Sequence, residues 1–239
     1  MKRLFLLFSA FLLASCAGGP TREQDLVARA LTAMGGADAL MRVKTIAIKG
    51  TVKHWEPEQS DVPGGEMRFA ADSNFTLTGD YGAHAVRTDW EKKYAYPAPR
   101  EWKHSEIVTP EAGYVIGVDS TARTRRSMEA KPPAHSMSGL RLVTAQRELR
   151  RSSPSLLLEM RNNPAKVRSA ADVVVGGVSH PAVTYDAGSY SFIVAFDPAT
   201  GLPSRVRSLD HDNVWGDVNY DVVFGEWRDH GGVRIAMSH

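Results

Sequence analysis

Eight histidines are the first candidates for metal or acid-base chemistry: His54, His84, His104, His135, His180, His211, His230 and His239. No two stand three to five apart, so no helix can present a pair of them to one zinc ion. Asp210-His211-Asp212 is the nearest approach to a ligand cluster. In a strand its aspartates share one face and the histidine takes the other, so the three diverge. Beside Asn213 and Gly216 it reads as a polar loop, and Asp229-His230-Gly231-Gly232 reads as a turn. A nucleophilic serine needs a neighbouring histidine and an orienting acid, usually on a Gly-x-Ser-x-Gly elbow. Ser136-Met137-Ser138-Gly139 lacks the first glycine of that elbow. The glycine pairs 35-36, 64-65, 176-177 and 231-232 are isolated turn signals and form no phosphate cradle. The residues therefore assign no catalytic group, no metal ligand and no cofactor.

Two other residue sets have a pattern. Arginines gather at Arg123, Arg125 and Arg126, and again at Arg147, Arg150 and Arg151. They are read either as a solvated rim or as a surface for lipid headgroups or a partner. Aromatic residues recur on stretches that alternate like strands. From these, Trp55, Phe69, Trp90, Phe192 and Phe196, with Leu157 from an apolar helix acting as a lid, are the candidate contacts for a hydrophobic ligand. The competing reading is that helices fill the same concavity as an ordinary core.

The elements that must position these residues follow from local signals. Thr21 is placed to cap a helix, with Glu23 and Asp25 in its first turn and Val27, Ala30, Leu31 and Met34 on one face. Gly35-Gly36 breaks it, and Ala37 to Val43 adds a short helical piece. Thr45 to Trp55 is a strand with Ile46 and Ile48 inward. Shorter strands are expected at Glu66–Ala70, Ser73–Thr78, His84–Asp89, Lys93–Tyr96 and Tyr114–Val118. Thr121 to Pro133 reads as a basic loop or strand edge. Ser136 or Ser138 opens a helical region, which Ser153-Pro154 restarts and Asn162-Asn163-Pro164 ends. Val173 to Tyr185 forms a hairpin. Ser189 to Phe196, the turn Asp197 to Pro203, and Ser204 to Leu209 form another. Val218 to Phe224 and Val233 to Ile235 follow, the last as an unpaired edge. The fold class is α+β: one curved antiparallel sheet, a half-barrel, with helices packed on its concave face.

Residues 1–15 read as a lipoprotein signal peptide. Lys2 and Arg3 precede an apolar run, Leu4 to Leu13, too short for a permanent membrane span. Leu13-Ala14-Ser15-Cys16 has the form of a bacterial lipobox, and Cys16 is the single cysteine, the position lipidation requires. Residues 16–21 are then a lipidated tether, the membrane is a partner through the acyl chains, and Ala17 favours the outer membrane. Without Lys2 and Arg3 the 29 basic residues fall to parity with the 27 acidic ones, which leaves no electrostatic case for nucleic-acid binding.

Three strings carry a resemblance. They are Ala33-Met34-Gly35-Gly36-Ala37-Asp38-Ala39-Leu40 running into Val43 to Ile46, Phe196 to Pro203 with Arg205-Val206, and Gly216 to Tyr220 followed by Trp227-Arg228-Asp229 and Gly231-Gly232-Val233. Together they resemble periplasmic LolA/LolB-like domains. The resemblance implies a half-open barrel over residues 22–239 that holds a lipoprotein acyl chain or another hydrophobic ligand. The chain is also similar to the domain that precedes a metallo-β-lactamase-fold hydrolase in some exported bacterial proteins. That likeness implies a domain cut short at its C-terminus, with zinc confined to a catalytic domain missing here, so that no zinc ligand transfers to this chain. The two expectations are thus a non-catalytic envelope protein that binds a hydrophobic ligand or supports a partner domain, and the front part of an exported zinc hydrolase.

Overall fold

The computed structural model describes residues 19–56, 60, 62, 65–118, 134–212 and 215–239. Cys16 and the arginines 123, 125 and 126 lie outside them. Helix α1 (Arg22–Ala33) starts where the sequence marks it. Thr21 Oγ1 accepts the Gln24 N–H at 3.3 Å, and Gln24 Oε1 accepts the Thr21 N–H at 3.0 Å, a reciprocal cap. It stops at Gly35 and Gly36, whose φ values of +107° and +94° an L-residue rarely adopts. Helix α2 (Ala37–Arg42) follows.

The first sheet is a six-stranded antiparallel meander: β1 (Thr45–Glu56), β2 (Arg68–Asp80), β3 (Ala85–Tyr94), β4 (Arg100–Val108), β5 (Gly113–Gly117) and β6 (Ala134–Ser136). β2 and β3 are each one long strand where the sequence pattern reads as two. Their polar interruptions do not break pairing, because the charges point outward and meet across strands. Asp72 lies 3.4 Å from Lys53, and Lys93 lies 3.7 Å from Glu101. β4 was not anticipated for the same reason: its alternate positions are charged.

Helix α3 (Gly139–Ser152) is capped by Ser138, whose Oγ accepts the Arg141 N–H at 3.3 Å. Ser153 then turns extended and its Oγ accepts the Ser155 N–H, while Pro154 already has helical dihedrals, so α4 (Ser155–Asn162) restarts on the signal the sequence carries.

The second sheet joins β7 (Val167–Ser169), β10 (Ala182–Asp186), β11 (Ser191–Phe196), β12 (Pro203–Asp212) and β13 (Gly216–Val223) in the order β13-β12-β11-β10-β7. Two hairpins complete the fold, β8 (Val173–Val175) with β9 (Val178–His180), and β14 (Gly225–His230) with β15 (Val233–Ser238). The class is α+β and mostly antiparallel. The single sheet expected from the sequence is two sheets, neither closed into a barrel. The last strand is not wholly unpaired either. β14 pairs along one edge of it, and on the other Arg234 donates its N–H to the Met34 carbonyl at 3.1 Å.

The turn from β11 to β12 is stabilised locally. Asp197 Oδ1 accepts the N–H groups of Ala199 and Thr200 at 3.0 and 2.7 Å, and Gly201 closes the loop at φ +76°. The Thr200 hydrogen bond holds the Asp197 carboxyl below its ordinary value.

The main core lies under the second sheet. Val27, Leu31 and Met34 of α1, and Leu156, Leu157 and Met160 of α4, pack against Val183, Phe192, Val194, Phe196 and Val206. Each such side chain contributes about 1.5–3 kcal/mol of burial. A smaller cluster sets Leu142, Ala145 and Leu149 of α3 over Val108, Val115 and Met137.

Candidate functional site

A cavity of about 490 Å³ opens where the two sheets face each other across α3 and α4. Its first wall comes from the register of sheet one. Ile48 stands opposite Leu77, Ile46 opposite Gly79, Gly79 opposite Val86, and Val86 opposite Val108. Residues directly opposite share a face, so these aliphatic side chains point the same way into the cavity. Two glycines on this face leave room for their neighbours' side chains. A Cβ at Gly50 would sit 2.7 Å from the Phe75 ring, and one at Gly79 would sit 3.0 Å from Ile46 Cγ2. Val194 and Val206 form the facing wall, Leu149, Leu156 and Leu157 come from the helices, and Phe224, Trp227 and Ile235 come from the C-terminal segment.

The second arginine group is neither a solvated rim nor a free basic patch. α3 turns these residues toward sheet two, where strand alternation places Ser208 and Asp210 on the inner face of β12. Arg147 pairs with Asp210 at 2.6 Å. Arg151, 2% exposed, donates to Ser208 Oγ at 2.7 Å and pairs with Glu148. Arg150 reaches the cavity edge, donates to Tyr190 Oη at 2.7 Å, and meets Glu159 at 2.5 Å. Asp210 therefore belongs to a helix-sheet ion pair, and it lies in β12 rather than in the polar loop expected there. Nearby, burial pushes the Tyr81 phenol above its ordinary value.

The six candidate contacts do not converge. Leu157 lines the cavity. Phe192 and Phe196 are fully buried in the closed core beneath α1 and α4. Trp55 is 46% exposed and rests edge-on against Phe69 at 5.8 Å, away from the cavity wall. Trp90 is on the inner face of sheet one but stacks behind Phe75 at 5.5 Å and donates from Nε1 to Glu106. The aliphatic lining was missed as a site because Ile46 and Ile48 read only as inward residues. Nothing in the sequence alone shows that the helices leave these residues uncovered.

Polar groups farther along the same face are engaged with one another. Burial alone would raise the Glu106 carboxyl, but the Arg141 guanidinium, donating to it at 2.5 Å, and the His104 ring 3.8 Å away bring it to about 2. His54 Nε2 and Ser73 Oγ are 2.9 Å apart, and burial with the nearby Lys92 charge holds His54 below its usual range. Away from that face, His180 Nδ1 in β9 and Ser204 Oγ in β12 are 2.8 Å apart and buried. Among the described residues no carboxylate hydrogen-bonds to either histidine, so neither pair has the geometry of a nucleophile with an oriented base. Each ties two strands together.

No family model, curated protein or solved structure matches this chain.

Proposed function

We propose that this protein is a lipid-anchored component of the bacterial envelope whose two facing sheets act as a LolA/LolB-like half-barrel that holds a hydrophobic ligand, an acyl chain in the first instance. The cavity carries this reading. Its volume of about 490 Å³ falls within the ~300–1,000 Å³ typical of small-molecule sites. Its walls are aliphatic and aromatic side chains drawn from both sheets and two helices. Such a surface binds by removing apolar area from water, at roughly 25 cal/mol per Å², and needs no reacting group. In this reading Cys16 bears the anchoring lipid, residues 17–21 form the tether, and the cavity faces the periplasm beneath the outer membrane.

The test has two parts. The protein purified from membranes is extracted with organic solvent and the extract analysed by mass spectrometry. The delipidated protein is then titrated with the uncharged fluorophore N-phenyl-1-naphthylamine. Copurifying lipid and saturable fluorescence enhancement are expected. Ile48→Trp, which places an indole in the cavity, is expected to weaken the probe at least about tenfold, at a stability cost of about 1–3 kcal/mol. A lipid-free protein that leaves the probe dark refutes the carrier reading.

A further inference from the structure

The charges around the cavity say what kind of chain it accepts, given the carrier reading above. Two arginines contribute to its lining, and both are already committed. Arg150 is bound to the Glu159 carboxylate and to Tyr190 Oη. Arg151 is bound to Glu148 and Ser208 and is almost wholly buried; its charge is paired with a carboxylate, and only its Nε–H lacks a hydrogen-bond partner. The remaining lining groups able to carry positive charge, His84 and His239, are exposed at the outer edge. The amide of Gln146 is spent on the carbonyls of Thr109 and Pro110, at 2.8 and 2.9 Å. Asp80 Oδ1 accepts from the N–H groups of Gly82 and Ala83. Among the described residues, then, the buried part of the cavity offers an ionised headgroup no cation that is not already paired with a carboxylate.

A carboxylate drawn into such a place gives up its hydration and receives no compensating charge. An ester loses far less on the same transfer, because it has no formal charge to desolvate. We propose that the cavity selects chains whose buried end is uncharged, of the acyl-ester class, and discriminates against ionised fatty acids. Glu159 is the specificity determinant in this arrangement, since it neutralises the one guanidinium that reaches the cavity edge.

The experiment is competition against N-phenyl-1-naphthylamine by methyl palmitate and by palmitate, below their aggregation limits and at about pH 8, well above the carboxylate range. Methyl palmitate is expected to compete at least about tenfold more strongly than palmitate. In Glu159→Gln the Arg150 guanidinium is released to meet an anion, and the ester-to-acid affinity ratio is expected to fall about fivefold or more. Circular dichroism establishes that the variant is folded; the wild-type comparison stands without it. Palmitate binding to wild type as tightly as the ester, or a ratio unchanged in folded Glu159→Gln, overturns this selectivity and leaves the carrier reading intact. Probe binding that neither lipid displaces overturns the carrier reading, and the selectivity with it.

Discussion

Gly35→Ala tests the contact that joins the N-terminal helix to the C-terminal hairpin. A Cβ built at Gly35 falls 1.9 Å from the Gly232 carbonyl oxygen, a backbone atom that cannot rotate away. The residue also has φ +107°. Holding an alanine in such a region costs about 1–3 kcal/mol. Moving the Gly231-Gly232 turn aside breaks the hydrogen bond from Arg234 N–H to Met34 O, worth about 0.5–1.5 kcal/mol. It also disturbs Val233, which is 5% exposed. The expected loss is about 2–4 kcal/mol, or roughly 5–15 °C in Tm for a chain of this size. Gly36→Ala is the control. Its φ of +94° carries a similar conformational cost, but a Cβ there meets nothing within 4 Å. Thermal and urea unfolding of both variants, followed by circular dichroism, measures the difference, which should be at least about 1 kcal/mol. Hydrogen exchange at the Arg234 amide adds a local readout, with protection lost in Gly35→Ala and kept in Gly36→Ala. Equal losses in the two variants, with Arg234 protected in both, would refute the reasoning.

Two further outcomes follow from buried charge. Glu106 titrates at about 2 in the folded protein against an ordinary 4.5, so its stabilising contribution is complete above about pH 4.5 and disappears as the pH falls through 2. The shift corresponds to about 3 kcal/mol as an upper value. The stability gap between wild type and Glu106→Gln, from urea titrations at successive pH values, should therefore close between about pH 4.5 and pH 2; a gap independent of pH counts against the Arg141 and His104 contacts as its origin. Arg151→Met removes the donor to buried Ser208 and is expected to cost about 2–4 kcal/mol, whereas Arg228→Ala, at an exposed pair 3.6 Å from Glu226, should stay within about 0.5 kcal/mol. Similar losses in the two variants would mean that α3 is not held by its arginines.

What the sequence made legible is what local chemistry decides. The Thr21 cap, the Ser153-Pro154 restart and the Asp197 to Gly201 turn each involve hydrogen bonds spanning only a few residues. Ile46 and Ile48 were identifiable as inward by alternation alone. Features that depend on distant partners were not legible. Arg147, Arg150 and Arg151 looked like surface charge, because the sequence does not reveal that Asp210 and Ser208 stand across from α3. β2 looked broken, because Lys53 was not known to face Asp72. Gly35-Gly36 and Gly231-Gly232 read as separate turns, although the first packs against the second. The candidate aromatic contacts were chosen by residue type, and type does not distinguish a side chain that closes a core, as Phe192 does, from one on an open edge, as Trp55 is.

The cavity itself follows from an asymmetry between the two sheets. Sheet two presents Phe192, Val194, Phe196 and Val206 on one face, and the apolar sides of α1 and α4 cover most of it, with Val194 and Val206 also bordering the cavity. α3 cannot do the same for the β1 to β3 part of sheet one. Its Leu142, Ala145 and Leu149 are used on the cluster at Val108 and Val115, and its arginines are anchored to β12 and Glu159. Ile46, Ile48, Leu77 and Val86 are thus inward aliphatic residues with no helix of their own. Interiors normally close such gaps, because an unfilled volume costs about 24 cal/mol per Å³ where the walls cannot relax. Here relaxation is opposed on both sides, by the long antiparallel pairing of β1 to β4 and by a helix tied to β12 through the Arg147–Asp210 ion pair and the Arg151–Ser208 hydrogen bond. The energy left unsatisfied along that wall is what a neutral chain would recover on entering. The same arginine row that keeps α3 from collapsing onto sheet one is itself paired with carboxylates, so that among the described residues the buried cavity wall offers an anion no unpaired cation, and the scaffold and the proposed selectivity have a common origin.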